Sequence, residues 1–252
     1  MNDTIRSVIV KVPAVTAGFW IIKVLATTIG ETGGDALSMS LGLGYLVSTA
    51  IFLALFVAAV VFQIKLERFH PASYWATIIF STTVGTTLAD FATRSLGIGY
   101  AGGTTLLLAL LAGSLFTWHR TLGTIDFKTV SSPKAESFYW VTIMFSQTLG
   151  TALGDWTADT EGLGYLGGVA VFAGLLLVVL ALYFFTRISR TALFWGAFVL
   201  TRPLGAVIGD YLDKPVAEGG LALSRYAATT ALLVAFVLCI LVFPQRPAQS
   251  GH

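Results

Sequence analysis

Long uncharged apolar stretches recur along the chain, each preceded by a more polar one. Tyr45 to Gln63, Tyr100 to Trp118, Gly162 to Thr186 and Tyr226 to Phe243 contain no charged residue. Each is long enough to cross a bilayer as a helix. The stretches before them start near Trp20, Trp75, Trp140 and Trp195 and run to about Asp35, Asp90, Asp155 and Asp210. The period-two alternation of a membrane β-barrel is absent. The pattern predicts an all-α, polytopic membrane protein of eight transmembrane helices.

The eight helices are four copies of one unit. An aspartate follows each of the four tryptophans by fifteen residues, with a glycine at Trp+10 (Gly30, Gly85, Gly150, Gly205) and another at Trp+24 (Gly44, Gly99, Gly164, Gly219). The repeats span about 14–65, 70–119, 135–187 and 190–243, within a single membrane domain over 1–252. A cytoplasmic linker of about 120–137 accounts for the wider spacing between the second and third tryptophans. Two spans per repeat make the repeats parallel.

The odd and even helices differ. The even helices are apolar all round, which suits an outer position. On the odd helices, Trp+3, +7, +11 and +15 form one stripe. It reads Lys23, Thr27, Glu31, Asp35 in the first repeat and Ile78, Thr82, Thr86, Asp90 in the second. The third repeat gives Ile143, Gln147, Thr151, Asp155, and the fourth Phe198, Arg202, Ala206, Asp210. Trp+8 adds Thr28, Thr83 and Thr148, with Pro203 as the exception. Such stripes predict odd helices inside and even helices outside, with the threonines facing the bundle axis. Pro203 predicts a kink in the seventh span. Gly30/Gly34, Gly85/Ala89, Gly150/Gly154 and Gly205/Gly209 predict close helix approach. Glycines at 42–45, 97–100 and 162–165 predict turns into the even helices.

Composition agrees with a membrane location: 56% of residues are hydrophobic and 11% charged, against about 25% charged in soluble domains. Arg6, Lys11, Lys65, Arg68, Arg120, Lys128, Lys134, Arg187, Arg190 and Arg246 fall on one side of the predicted spans; Arg94, Lys214 and Arg225 fall on the other. This bias predicts cytoplasmic termini. The first apolar stretch contains Lys23 and belongs to repeat one, so it reads as a span and not as a cleaved leader. The basic face suits lipid headgroups, and nucleic-acid binding is not implied. The single cysteine, Cys239, excludes an intrachain disulfide, and His70, His119 and His252 fall in loops or the tail. No His/Cys cluster is present to hold a cofactor.

The Trp-(x9)-Gly-(x4)-Asp-(x8)-Gly unit, over about Trp20 to Phe243, resembles a bacterial family of membrane-anchored proteins. That family is built of four tandem two-helix, tryptophan-bearing repeats of unknown function. Gly209 to Pro215 also resembles the family's last-repeat signature. The resemblance implies an inner-membrane protein of eight helices, and it implies no substrate.

Function must then come from the residues. Glu31, Asp35, Asp90, Asp155, Asp210, Lys23, Arg202, Thr28, Thr83 and Thr148 are the candidate ion- or substrate-binding set. Five acids against two bases favour a small cation such as a proton, sodium or a divalent metal. Transport or conduction is the leading expectation. The alternative is a structural or sensory protein whose buried charges fix packing, with the aspartates capping loop amides. An enzyme is disfavoured, because no nucleophile–histidine pair lies within the spans. If the repeats close into a ring, Arg202 should pair with Glu31 across the contact between the first and fourth.

Overall fold

The computed structural model describes residues 10–159 and 162–249; Arg6 and His252 lie outside the described residues. Among the described residues are eight α-helices: α1 (Ala17–Asp35), α2 (Gly44–Lys65), α3 (Pro71–Asp90), α4 (Gly99–Leu122), α5 (Pro133–Asp159), α6 (Gly164–Phe185), α7 (Arg190–Asp213) and α8 (Arg225–Val242). Five of them, α2, α4, α6, α7 and α8, are long and apolar enough to cross a membrane. Many large apolar side chains on the outer helices are exposed, among them Leu46, Leu108, Leu177 and Leu241. Contiguous surface of this kind fits a membrane protein.

Local signals place the helix ends. Thr16, Ser132 and Ser189 accept hydrogen bonds from the amides of Phe19, Ala135 and Ala192, as N-caps do. His70 caps α3 in the same way, with Pro71 in the first turn. The glycine pairs act as expected: Gly42 and Gly44 have φ of 68° and 74°, Gly97 and Gly99 of 69° and 64°, and Gly162 and Gly164 of 66° and 60°. A side chain would strain each of these turns. The fourth repeat instead turns through a short 3₁₀ segment, Val216–Glu218. The linker is shorter than the expected 120–137, because α4 runs on to Leu122 and α5 starts at Pro133. Phe127 and Val130 of that linker are buried against the bundle.

The odd helices close into a ring: α1 packs on α3, α3 on α5, α5 on α7 and α7 back on α1. Each even helix crosses to the next repeat, α2 on α3, α4 on α5, α6 on α7 and α8 on α1. The small residues make the ring possible. A Cβ at Gly30 would overlap Thr82, at Gly85 Gln147, at Gly150 Arg202 and at Gly205 Thr27. Every Trp+10 glycine therefore seats the Trp+7 side chain of the following repeat. One turn on, Gly34 seats Thr86, Gly154 seats Ala206 and Gly209 seats Glu31. Helix α7 continues through Pro203 to Asp213, with Arg202 and Pro203 lying against Gly150.

The repeat tryptophans pack inside the bundle. Trp75, Trp140 and Trp195 are buried, and Trp20 is half-buried. Each meets the aromatic residue that precedes the tryptophan of the repeat before: Phe19 with Trp75 (5.4 Å between ring centroids), Tyr74 with Trp140 (5.5 Å), Tyr139 with Trp195 (6.2 Å) and Phe194 with Trp20 (6.0 Å). The Tyr74 and Tyr139 hydroxyls bond at 2.6 Å. This aromatic layer closes the basic end of the ring.

Candidate functional site

Stripe residues of the first three repeats converge on Arg202, the Trp+7 residue of the fourth. Its side chain is fully buried. One terminal nitrogen lies 2.8 Å from Glu31 Oε2 and donates to Thr86 Oγ1 at 2.6 Å and to Thr151 Oγ1. The guanidinium also reaches the carbonyls of Thr27 (3.3 Å) and Thr82 (3.5 Å). Charge-assisted bonds of this kind are about twice as strong as neutral ones. The ring thus joins its first and last repeats through the pair expected from sequence. Gln147, the third repeat's stripe residue at this level, is fully buried, with both amide atoms unpaired among the described residues.

Lys23 lies nearer the basic end and stays outside that cluster. It is fully buried, with its ammonium 4.1 Å from the centre of the Phe198 ring and 3.5 Å from Thr201 Oγ1. The ring face offers a weak cation–π contact. Among the described residues, no carboxylate pairs with it.

The four stripe aspartates gather at the opposite, acidic end, joined in two pairs by basic residues. Arg94 meets Asp90 at 2.9 Å, Asp155 at 3.3 Å and Asp159 at 3.7 Å. Lys214 meets Asp35 at 2.6 Å and Asp210 at 3.2 Å. Arg225 adds contacts to Asp213 at 3.2 Å and Asp35 at 3.9 Å. Tyr100 donates its hydroxyl to Asp159. Lys214 lies just beyond the end of α7. Burial works against its ammonium, but Asp210 and Asp35 outweigh that and raise its pKa well above the ordinary lysine range.

Loop capping does not describe Asp35 and Asp90. Each ends its helix and leads into a π-helical turn, Ala36–Ser40 and Phe91–Ser95, without a side-chain bond to the turn's amides. Asp35 Oδ2 meets Lys214 and Asp90 Oδ1 meets Arg94 instead. Thr28, Thr83 and Thr148 are not among the residues that bond Arg202. They are buried, but their hydroxyls bond back to the carbonyls of Val24, Ile79 and Met144 on their own helices. The residues that meet Arg202 are their neighbours at Trp+7 and Trp+11.

Arg94, Lys214 and Arg225 join the site from outside the helix stripes. A signal for two of them was present. Position Asp+4 holds Met39, Arg94, Asp159 and Lys214 in the four repeats. Only the second and fourth repeats bring a cation, and each shares it with the following repeat's aspartate.

Chemically, the acidic end can hold a hard cation. Glu31, Asp35 and Asp210 can each bring one carboxylate oxygen to within 4.8 Å of the others. Asp35 Oδ1 is buried with no hydrogen bond among the described residues. Oxygen sets of this type suit magnesium, manganese, calcium or sodium. Seven carboxylates (Glu31, Asp35, Asp90, Asp155, Asp159, Asp210, Asp213) face four cations (Arg94, Arg202, Lys214, Arg225), a formal excess of three negative charges.

The family model described as Repeat of Unknown Function (DUF347) matches the chain four times, over residues 18–69, 73–124, 138–189 and 193–246. No curated protein and no solved structure matches the chain.

Proposed function

Since the chain belongs to the family of the DUF347 repeat, a repeat of unknown function, we propose its activity from its own residues: it carries a small cation across a membrane. The observation that bears most weight is the unbalanced negative charge at the acidic end, with Glu31, Asp35 and Asp210 close enough to share one ion. A proton, sodium or a divalent metal fits that donor set. The aromatic layer at the basic end supports a carrier over an open channel, since it fills the axis there. In this reading all eight helices span the inner membrane of a bacterium, and both termini are cytoplasmic. No chemical reaction and no cofactor is part of it.

Purified protein in liposomes tests the proposal. Flux of protons, sodium, manganese and magnesium is followed with and without a membrane potential. Flux of one cation, lost in Asp35→Asn and Asp210→Asn variants that still fold, is the expected result. Absence of flux for all four ions, with the protein intact, would overturn it.

One observation favours a second reading. Each stripe aspartate already has a basic partner, so the charges would fix helix packing in a structural or sensory protein. In that case the asparagine variants lose stability, and no flux exists to lose.

A further inference from the structure

The ring is four-fold in plan, but one of its seams is not filled. At three seams an even helix places a large ring against the tryptophan of an odd helix. Phe56 of α2 meets Trp140 at 6.4 Å, Trp118 of α4 meets Trp195 at 5.9 Å and Phe236 of α8 meets Trp75 at 6.1 Å. At the fourth seam, between α6, α7 and α1, the place of Phe56 is taken by Leu176, which is equally spaced from its own repeat's tryptophan. The place of Trp118 is taken by Tyr183, which turns outward and is 47% exposed. The buried residues of α6 are Tyr165, Gly168 and Phe172, all in its first half. Its second half stands off the bundle, and Trp20 is the one repeat tryptophan left half-buried.

The result is a groove of about 790 Å³, within the size range of ligand sites. Its walls are apolar: Trp20, Val24, Leu176, Leu180 and Leu204. It opens beside Leu177 and Phe184, which are 65% and 68% exposed on the outer face of α6. Its mouth at the basic end is polar. Lys128 and Arg190 line it, both exposed. Arg190 is held there, its guanidinium 4.2 Å from the centre of the Tyr183 ring and bonded to the Tyr183 carbonyl. The one acid in the lining, Asp126, accepts the Lys128 backbone amide at 2.9 Å. At depth, Thr201 both lines the groove and lies 3.5 Å from the Lys23 ammonium.

We propose that this groove holds an anionic phospholipid of the bilayer, its acyl chain against Trp20, Leu176 and Leu180 and its phosphate between Arg190 and Lys128. An apolar slot with two cations at its headgroup end matches that amphiphile in both parts. Through Thr201 the acyl chain reaches the neighbourhood of Lys23, so occupancy also bears on the bundle axis. The site rests on the membrane location and is independent of cation transport.

Native mass spectrometry of the purified full chain tests it, with phosphatidylglycerol and phosphatidylcholine of identical acyl chains. Two basic groups at the headgroup should favour phosphatidylglycerol by roughly thirtyfold. That preference should fall to near unity in the Arg190→Ala/Lys128→Ala variant. Leu176→Phe, which supplies the missing ring, should release the lipid; Ala173→Leu serves the same end if that variant does not fold. A photo-cross-linker at position 180 should attach to lipid. Equal retention of the two lipids by the wild type, or a preference unchanged in the double variant, would overturn the proposal. So would cross-linking at position 180 to residues 1–9 or to a second copy of the chain.

Discussion

Arg202 lies 2.8 Å from Glu31, and this bond joins residues 171 positions apart in sequence. It crosses the only seam of the ring that no short connection spans, the one between the last repeat and the first. Both groups are buried. Removing one partner leaves the other charge uncompensated, which typically costs about 3–5 kcal/mol. Arg202→Ala or Glu31→Ala alone should therefore lower the unfolding midpoint severely in a detergent-denaturation series. The Glu31→Gln/Arg202→Met double variant should recover a large part of the loss, short of all of it. The threonine hydroxyls and carbonyls that Arg202 also serves remain without their donor. A double variant no more stable than either single one would show that the pair is not the source of the cost.

Arg94 and Lys214 should act as two separate clamps. Arg94 joins the second repeat to the third, and Lys214 joins the fourth to the first. Lys214→Met should loosen the α1/α7 contact and leave the α3/α5 contact closed; Arg94→Met should do the reverse. Cross-linking between cysteines placed at the acidic ends of each helix pair reads this out. Because its carboxylate partners raise the Lys214 pKa above the ordinary lysine range, the clamp should not be released by raising the pH to about 11, where a free lysine would be mostly neutral. Release at that pH in the wild type would contradict the geometry.

Much of this arrangement could be read from the chain. Four tryptophans at one register fixed the repeat count, and the stripe of Trp+7, +11 and +15 marked the faces that meet on the axis. Glu31 and Arg202 stood out as charges found in one repeat only. Which loop cation would serve which aspartate was not legible. Arg94 and Lys214 lie past the helix ends, and their partners in the next repeat depend on ring closure. Helical periodicity carries no information about that. That Thr28, Thr83 and Thr148 bond their own helices and not Arg202 was illegible for another reason. A threonine in a helix can satisfy its hydroxyl on its own backbone, so its polarity alone does not point it inward. The groove beside α6 was invisible for a third reason: it depends on a missing aromatic contact, and Leu176 reads as an ordinary apolar residue.

Orientation is open to a direct test. Glu218 is exposed at the acidic end and Lys128 at the basic end. With Cys239 first replaced by serine, a cysteine at 218 should react with an impermeant maleimide added to intact cells. A cysteine at 128 should react only after the membrane is opened. The basic bias predicts residue 128 on the inside. The opposite labelling would invert the topology and, with it, the side on which the carboxylates receive a cation.

The glycine register makes the sharpest packing prediction. Gly85 and Gly113 are both helical glycines of the second repeat, in α3 and α4. A methyl group at 113 would meet nothing within 4 Å. Gly113→Ala should thus be neutral or stabilising by up to about 1 kcal/mol, the ordinary helix preference of alanine over glycine. At 85 the same methyl would lie 2.9 Å from the backbone carbon of Gln147 and 3.0 Å from the amide nitrogen of Thr148. Backbone cannot turn aside as a side chain can. Gly85→Ala must therefore push α5 away from α3, and overpacking of this sort costs about 1–3 kcal/mol. Gly30→Ala should cost at least as much, because its methyl would overlap Thr82 Cβ, an atom that side-chain rotation cannot move, and lie 3.0 Å from the Thr82 carbonyl carbon. The expected order of stability is Gly113→Ala highest, then Gly85→Ala, then Gly30→Ala, measured as detergent-denaturation midpoints. If Gly85→Ala matched Gly113→Ala, the close α3/α5 approach on which the ring depends would be wrong.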